Sequence, residues 1–169
     1  MESIALAAAD KPARYRELLP PLAALLDGEP DLIANLANAA AALRECVPAA
    51  SWIGFYIVRG GELVLGPFQG KVACVRIAFG RGVCGTAAAE QRTLIVPDVE
   101  LFPGHIACDA GSRSEIVVPI MRSGGSGRPG SRGELVAVLD LDSYERAAFD
   151  DADADGLQPI AELLGTLAW

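Results

Sequence analysis

The chain has 169 residues, 51% of them hydrophobic and 21% charged, and a formal net charge of −8. This length suits one domain with a proper core, and the composition excludes an intrinsically disordered chain. The acidic balance argues against nucleic acid or an anionic membrane as the main partner and leaves a small zwitterionic ligand open.

The N-terminal stretch MESIALAAADK carries no basic n-region and is too short to span a bilayer, and so is the uncharged run over 32–43. A cytoplasmic protein is therefore expected, with its four cysteines reduced at rest. Residues 12–26 read as a helix, with Asp10 as its cap, Pro12 in its first turn and Gly28 at its end. Pro20 and Pro21 are expected to break or kink it. A second helix is expected over 31–44, where Leu32, Leu36, Ala39 and Leu43 recur at helical spacing.

From Ser51 onward the texture changes to strands. Aromatic and branched residues over 52–58 predict a strand, Gly60-Gly61 a hairpin turn, and 63–65 a short returning strand. Further strands are expected over 72–78, 93–96, 116–121 and 134–141, with a short helix over 83–90. Residues 98–114 form a long loop, of the kind that often carries function. The Gly/Ser/Arg-rich stretch between Met121 and Glu134 reads as a hairpin tip. The acidic run 150–155 opens a last helix ending near Leu167, where carboxylates suit the positive end of the helix dipole. The pattern is α+β: an antiparallel sheet with helices on one face and, on the other, a pocket beneath the long loop. The whole of 1–169 reads as one domain, with N-terminal helices over about 12–45, sheet and loops over about 50–142 and a C-terminal helix over about 150–167.

Several residues are candidates for chemistry. Cys46 ends a helix beside Leu43 and Val47 and reads as a small buried hydrophobe. Cys84 opens the short helix after Gly80 and Gly82, where the helix dipole is expected to lower a thiol pKa. Cys108 lies in the polar loop. Cys74 is placed in a strand two residues before Arg76, on the same face. Cys74, Cys84 and Cys108 with His105 could ligate zinc, but no Cys-x2-4-Cys knuckle exists, and the spacings do not support it. Asp140 and Asp142 end a strand whose face also carries Val136 and Val138. They point the same way about 6.5–7 Å apart, either leaving the core for water or lining a polar pocket. With Glu115 on a neighbouring strand, three carboxylates could converge to hold an ammonium group or supply a proton. Trp52 and Tyr56 flank Gly54 on one strand face, as core aromatics or as an apolar wall for a ligand's methyl group. His105, the only histidine, reads as a structural hydrogen-bonding group or a base.

These residues sit in recognisable strings. Trp52-Ile-Gly-Phe-Tyr56, Leu65-Gly-Pro-Phe-Gln-Gly-Lys71, Ala73-Cys-Val-Arg-Ile77, Phe79-Gly-Arg-Gly-Val-Cys-Gly-Thr86, Phe102-Pro-Gly-His-Ile-Ala-Cys-Asp-Ala110, Ser114-Glu-Ile-Val-Val-Pro119 and Val138-Leu-Asp-Leu-Asp-Ser143 together resemble the free methionine-(R)-sulfoxide reductases, in family order. The resemblance implies a homodimeric GAF-fold enzyme that reduces the R epimer of free methionine sulfoxide. It puts Cys108 on the nucleophile, Cys74 on the main resolving cysteine and Cys84 on a third cysteine available for disulfide shuffling. Glu115, Asp140 and Asp142 fall on substrate-binding and acid positions, and Trp52 and Tyr56 on the pocket wall. It implies no metal and no resident cofactor, with thioredoxin or another external dithiol as reductant. The stretch 123–132 departs from the family by being longer and richer in Gly, Ser and Arg. A non-catalytic GAF module that binds a small molecule, and a thiol redox sensor, are the alternatives. Neither would consume thiols to reduce one sulfoxide epimer.

Overall fold

The computed structural model describes residues 7–8, 10–106, 108–123 and 133–169. Most of the hairpin tip lies outside these residues, and the expectation for 123–132 goes with it. Tyr15, Leu18, Leu22 and Leu26 are buried at intervals of three and four, so helix α1 (Lys11–Leu26) presents one apolar stripe. Asp10 caps it by accepting the Ala13 N–H at 2.8 Å. The expected break at Pro20-Pro21 does not occur, and α1 runs through both prolines. Their rings cost two backbone donors, but Pro20, Pro21, Arg16 and Glu17 all face solvent. The carbonyls left without intrahelical partners can therefore be hydrated.

Asp31 caps helix α2 (Leu32–Cys46) in the same way. The strands that follow are β1 (Trp52–Arg59), β2 (Glu62–Gln69), β3 (Arg76–Ala78), β4 (Leu94–Val96), β5 (Ser114–Met121) and β6 (Leu135–Ser143). Helix α3 (Gly82–Glu90) lies between β3 and β4, and α4 (Asp151–Leu164) closes the fold. All pairings are antiparallel, in the order β3-β2-β1-β6-β5-β4. The Gly60-Gly61 turn forms as expected, both glycines at positive φ. The returning strand β2 is longer than predicted: Gly66 and Pro67 fall at a register irregularity, beyond which Phe68 and Gln69 pair with β1 again. The strand expected over 72–78 shrinks to β3, and Cys74 lies in the preceding loop rather than in a strand face shared with Arg76.

The period-two alternation of the central strands divides two cores. Ile53, Phe55 and Ile57 of β1 and Ile116, Val118 and Ile120 of β5 join α1, α2 and α4 on one face. Trp52, Tyr56, Val117 and Val138 face α3 and the loops on the other. Three helices thus share one face as expected, while short α3 sits on the pocket side. Val136 corrects the expected phase of β6: it belongs to the helix-side core while Val138 faces the pocket. The register skips from Ile120↔Ala137 to Met121↔Leu135, an irregularity that turns Val136 over. Asp140 keeps the pocket side because the change falls before it.

One polar contact ties the two ends of the helical layer. Asp150 and Asp153 form the capping box of α4. Asp153 is almost fully buried, accepts the Tyr15 hydroxyl at 2.8 Å and pairs with Lys11 at 2.6 Å. Asp153→Ala is expected to lower stability by about 2–4 kcal/mol, since it removes the N3 half of the capping box, leaves the buried Tyr15 hydroxyl without its acceptor and takes from Lys11 one of its two carboxylate partners. Urea unfolding would measure the loss; a change within experimental error would show that Lys11 and Tyr15 find solvent instead.

Candidate active site

The pocket is built on β1, because its even-numbered residues point away from the helices. Trp52 lies across Gly54: a Cβ there would stand 2.4 Å from the indole edge and 2.4 Å from the Phe68 Cβ. The indole stacks on Phe68 at 5.3 Å and on Tyr56 at 6.0 Å between ring centroids. Both polar tips hold the segment that carries Cys74. The Trp52 indole N–H donates to the Lys71 carbonyl at 3.0 Å, and the Tyr56 hydroxyl to the Cys74 carbonyl at 3.1 Å. Gly54→Ala is therefore expected to displace Trp52 and to cost about 1–3 kcal/mol through overpacking. Near-ultraviolet circular dichroism, which reads the indole's surroundings, would report the displacement; an unchanged spectrum would refute this packing.

Sheet register gathers the carboxylates. Asp140 pairs with Gly54, and Asp142 is flanked by Trp52 on one side and Glu115 on the other. Cys84 comes from the first turn of α3, and its thiol donates to Glu115 Oε1 at 3.7 Å. Ligand atoms of Cys84, Glu115 and Asp140 all lie within 4.8 Å of one another, and all three residues are buried. Burial, reinforced by the neighbouring carboxylates, pushes Glu115 and Asp140 well above the usual carboxylate range. Asp142, also desolvated, is pushed up to about 6. One oxygen of Asp140 has no hydrogen-bond partner among the described residues. Such a site disfavours ionised carboxyls when empty and is receptive to a cation. The His105 Nε2 stands 4.0 Å from Glu115 Oε2. Burial lowers His105 and raises Glu115, so both shifts disfavour the charged pair.

Cys74 and Cys108 are joined by a disulfide, with Cα atoms 5.4 Å apart. The three cysteines and His105 therefore do not form one ligand set; Cys84 groups with carboxylates instead. The expected low pKa of Cys84 is corrected as well. Its thiol is raised well above its ordinary value, first by burial and then by Asp140 and Glu115, which outweigh the helix dipole. Cys46 lies in the helix-side core, raised by burial to about 11, as its apolar neighbours indicated. The cavity beside the disulfide has a volume of about 40 Å³.

All eight residues that the resemblance assigns to the site line this pocket or, for Cys74, are bonded to a residue that does, and His105 lines it too. Sequence reasoning passed over Arg81, Ile106 and Asp109, which line it too. A signal existed for Arg81, which stands between Gly80 and Gly82, both at positive φ. Ser112 also lines the pocket and hydrogen-bonds to Asp142.

An antiparallel sheet with a thiol-bearing pocket on one face and helices on the other is the arrangement of a GAF-fold protein. The GAF domain model matches residues 31–167. A free methionine-R-sulfoxide reductase of Escherichia coli is 46% identical over 91% of this chain and 88% of its own length. One from Saccharomyces cerevisiae is 44% identical over 83% of this chain and 77% of its own. The X-ray structure of free methionine-R-sulfoxide reductase from Neisseria meningitidis, in complex with its substrate, has a TM-score of 0.89 at 47% identity, covering 98% of this chain and 94% of that one. The chain belongs to the free methionine-R-sulfoxide reductases, a family of GAF-fold oxidoreductases. These relatives favour the reductase over a sensor module. Among the described residues no helix is long and apolar enough to cross a membrane.

Proposed function

We propose that this protein reduces free methionine-(R)-sulfoxide to methionine, with Cys108 as nucleophile and Cys74 as resolving thiol. The observation that carries this reading is the Cys74–Cys108 bond lying against a buried carboxylate cluster and an aromatic wall. A sulfoxide is a poor electrophile until its oxygen is protonated, and a carboxyl held protonated by burial is a suitable donor. The Cys108 thiolate attacks the substrate sulfur and the oxygen passes to Cys108 as a sulfenic acid. Methionine leaves, two electrons richer. The Cys74 thiol then attacks the sulfenic sulfur; its proton and the hydroxyl leave as water, and the disulfide forms. A dithiol, with thioredoxin as the proposed partner, restores both thiols by exchange.

The carboxylates Glu115, Asp140 and Asp142 are placed to meet the substrate ammonium, and Trp52 with Tyr56 to meet its methyl group. An ammonium that enters this cluster replaces protons, so binding supplies the charge that burial denies. A peptide-bound residue has no free ammonium, which explains a preference for the free amino acid. Cys84 is a third thiol within the pocket, available for disulfide exchange once ionised. The reading includes a homodimer in the cytoplasm with no resident metal or cofactor.

Incubation of reduced protein with racemic free methionine sulfoxide and dithiothreitol, followed on a chiral column, tests it. Loss of the R epimer alone, with methionine appearing in equal amount, is the expected result. Persistence of both epimers with protein of verified thiol content would reject it.

A further inference from the structure

The two cysteines sit on separate loops, 34 residues apart in sequence, yet a second set of contacts, centred on Asp109, joins those loops. Asp109 follows Cys108 directly. Its Oδ2 accepts the Tyr144 hydroxyl at 2.8 Å and faces Lys71 Nζ at 3.3 Å, and its Oδ1 accepts the Gly111 N–H at 2.9 Å. Lys71 also stands 4.8 Å above the centre of the Tyr144 ring. Gly111 leaves that ring its place: a Cβ there would come within 2.9 Å of the Tyr144 Cε1.

Both anchors are fixed to the sheet. Tyr144 follows the last residue of β6, and the Lys71 carbonyl takes the Trp52 indole N–H. An exposed ion pair alone is weak. Here an ammonium, a phenol and a backbone amide converge on one carboxylate, and the Asp109 carboxyl is accordingly held below its ordinary range.

We propose that Lys71, Asp109 and Tyr144 form a clasp that keeps the Cys108 loop against the Cys74 segment when the disulfide is open, so that these positioning residues set how fast Cys74 traps oxidised Cys108. The proposal rests on the reductase reading for its kinetics. Its physical basis is effective concentration. A loop free to move dilutes one thiol relative to the other, whereas a tether spanning both loops confines them. The step concerned is the condensation of the Cys108 sulfenic acid with the Cys74 thiol, which forms the S–S bond and releases water.

The test uses the full chain with Lys71→Met, Tyr144→Phe and the double substitution, none of which alters a residue of the pocket. In the first measurement each protein is equilibrated with reduced and oxidised glutathione, and the Cys74–Cys108 bond is quantified by mass spectrometry. The effective concentration of the thiol pair is expected to fall about fivefold or more in the double variant. Lys71→Arg, which keeps the charge, is expected to recover most of the loss caused by Lys71→Met. In the second, reduced protein receives one equivalent of methionine sulfoxide in the presence of dimedone. Methionine release is expected at the wild-type rate, with more dimedone-labelled Cys108.

An unchanged effective concentration together with unchanged dimedone labelling would overturn the clasp. Should the double variant fail to fold, Tyr144→Phe alone decides by the same two criteria. If wild-type protein releases no methionine, the functional reading fails, while the glutathione equilibrium still judges the clasp.

Discussion

Cys108→Ser is expected to release no methionine in a single turnover, while Cys74→Ser releases about one equivalent and then stops under thioredoxin. The asymmetry follows from the proposed order of events. A serine hydroxyl at 108 is far less ionised than a thiol and cannot carry the oxygen away as a sulfenic acid, so the chemical step itself is lost, by about 1000-fold or more. At 74 the substitution leaves the first transfer intact and removes only the thiol that closes the disulfide. Quenched-flow methionine release, with the same proteins run at steady state, separates the two. Equal loss of the first turnover in both variants would mean that the roles are shared or reversed. Full steady-state activity in Cys108→Ser would end the assignment. Cys84 gives the contrast within the same pocket: burial and its carboxylate neighbours keep it protonated, so it is a poor first nucleophile despite its place in the first turn of α3.

The second large effect is a pair of opposite changes from one substitution. Asp140→Asn is expected to stabilise the protein at pH 8 by about 1–3 kcal/mol and to lower kcat/KM by about 100-fold or more. In the unfolded chain an aspartate ionises near pH 4, roughly its free value. In the folded protein burial raises Asp140 well above that, beside Glu115, which burial also raises. Below about pH 4 both states hold the proton and the group has no effect on stability. As pH rises, the unfolded chain releases a proton that the folded protein retains, so folding is progressively disfavoured until the folded carboxyl itself ionises. Asparagine has no such proton. The variant should therefore match the wild type near pH 3.5 and exceed it increasingly toward neutrality. Asp142, pushed up to about 6, adds a similar loss of wild-type stability between about pH 4 and 6. Urea unfolding of both proteins at several pH values measures the gain, and kinetics with free methionine-(R)-sulfoxide measure the loss. A variant less stable than wild type at pH 8 would show that Asp140 contributes to the fold rather than straining it. The expected trade is that of a site whose charge is complementary to a bound ligand and not to the empty protein.

Much of the site was legible before any coordinates. The pair Asp140 and Asp142, one strand step apart twice over, had to share a face, and Trp52, Gly54 and Tyr56 had to share another. Local alternation dictates this. The burial of Cys46 followed from its apolar helical neighbours. Other expectations failed where a distant contact outweighed a local rule. Pro20 and Pro21 do not interrupt α1, because the stripe formed by Tyr15, Leu18, Leu22 and Leu26 buries in the helix-side core, with α1 packed on α2 and α4, while the freed carbonyls face water. Val136 left its expected face because the register with β5 slips by one residue.

Most secondary elements, the shared faces of Trp52 with Tyr56 and of Asp140 with Asp142, and, through the resemblance of its strings, the family could be read from the sequence. These depend on period, capping and turn chemistry, which act over a few residues. The fold decided the direction in which burial shifts Cys84, Glu115, Asp140 and Asp142, and the meeting of the loops. Cys84 follows a helix-start rule locally, yet its thiol is raised because strands β5 and β6, distant in sequence, bring Glu115 and Asp140 against it. Asp109 is an ordinary loop aspartate in the sequence, and only the fold sets it between Lys71 and Tyr144. Desolvation and Coulomb interaction depend on distance in space and on what displaces water, and neither is encoded in the spacing of residues along the chain.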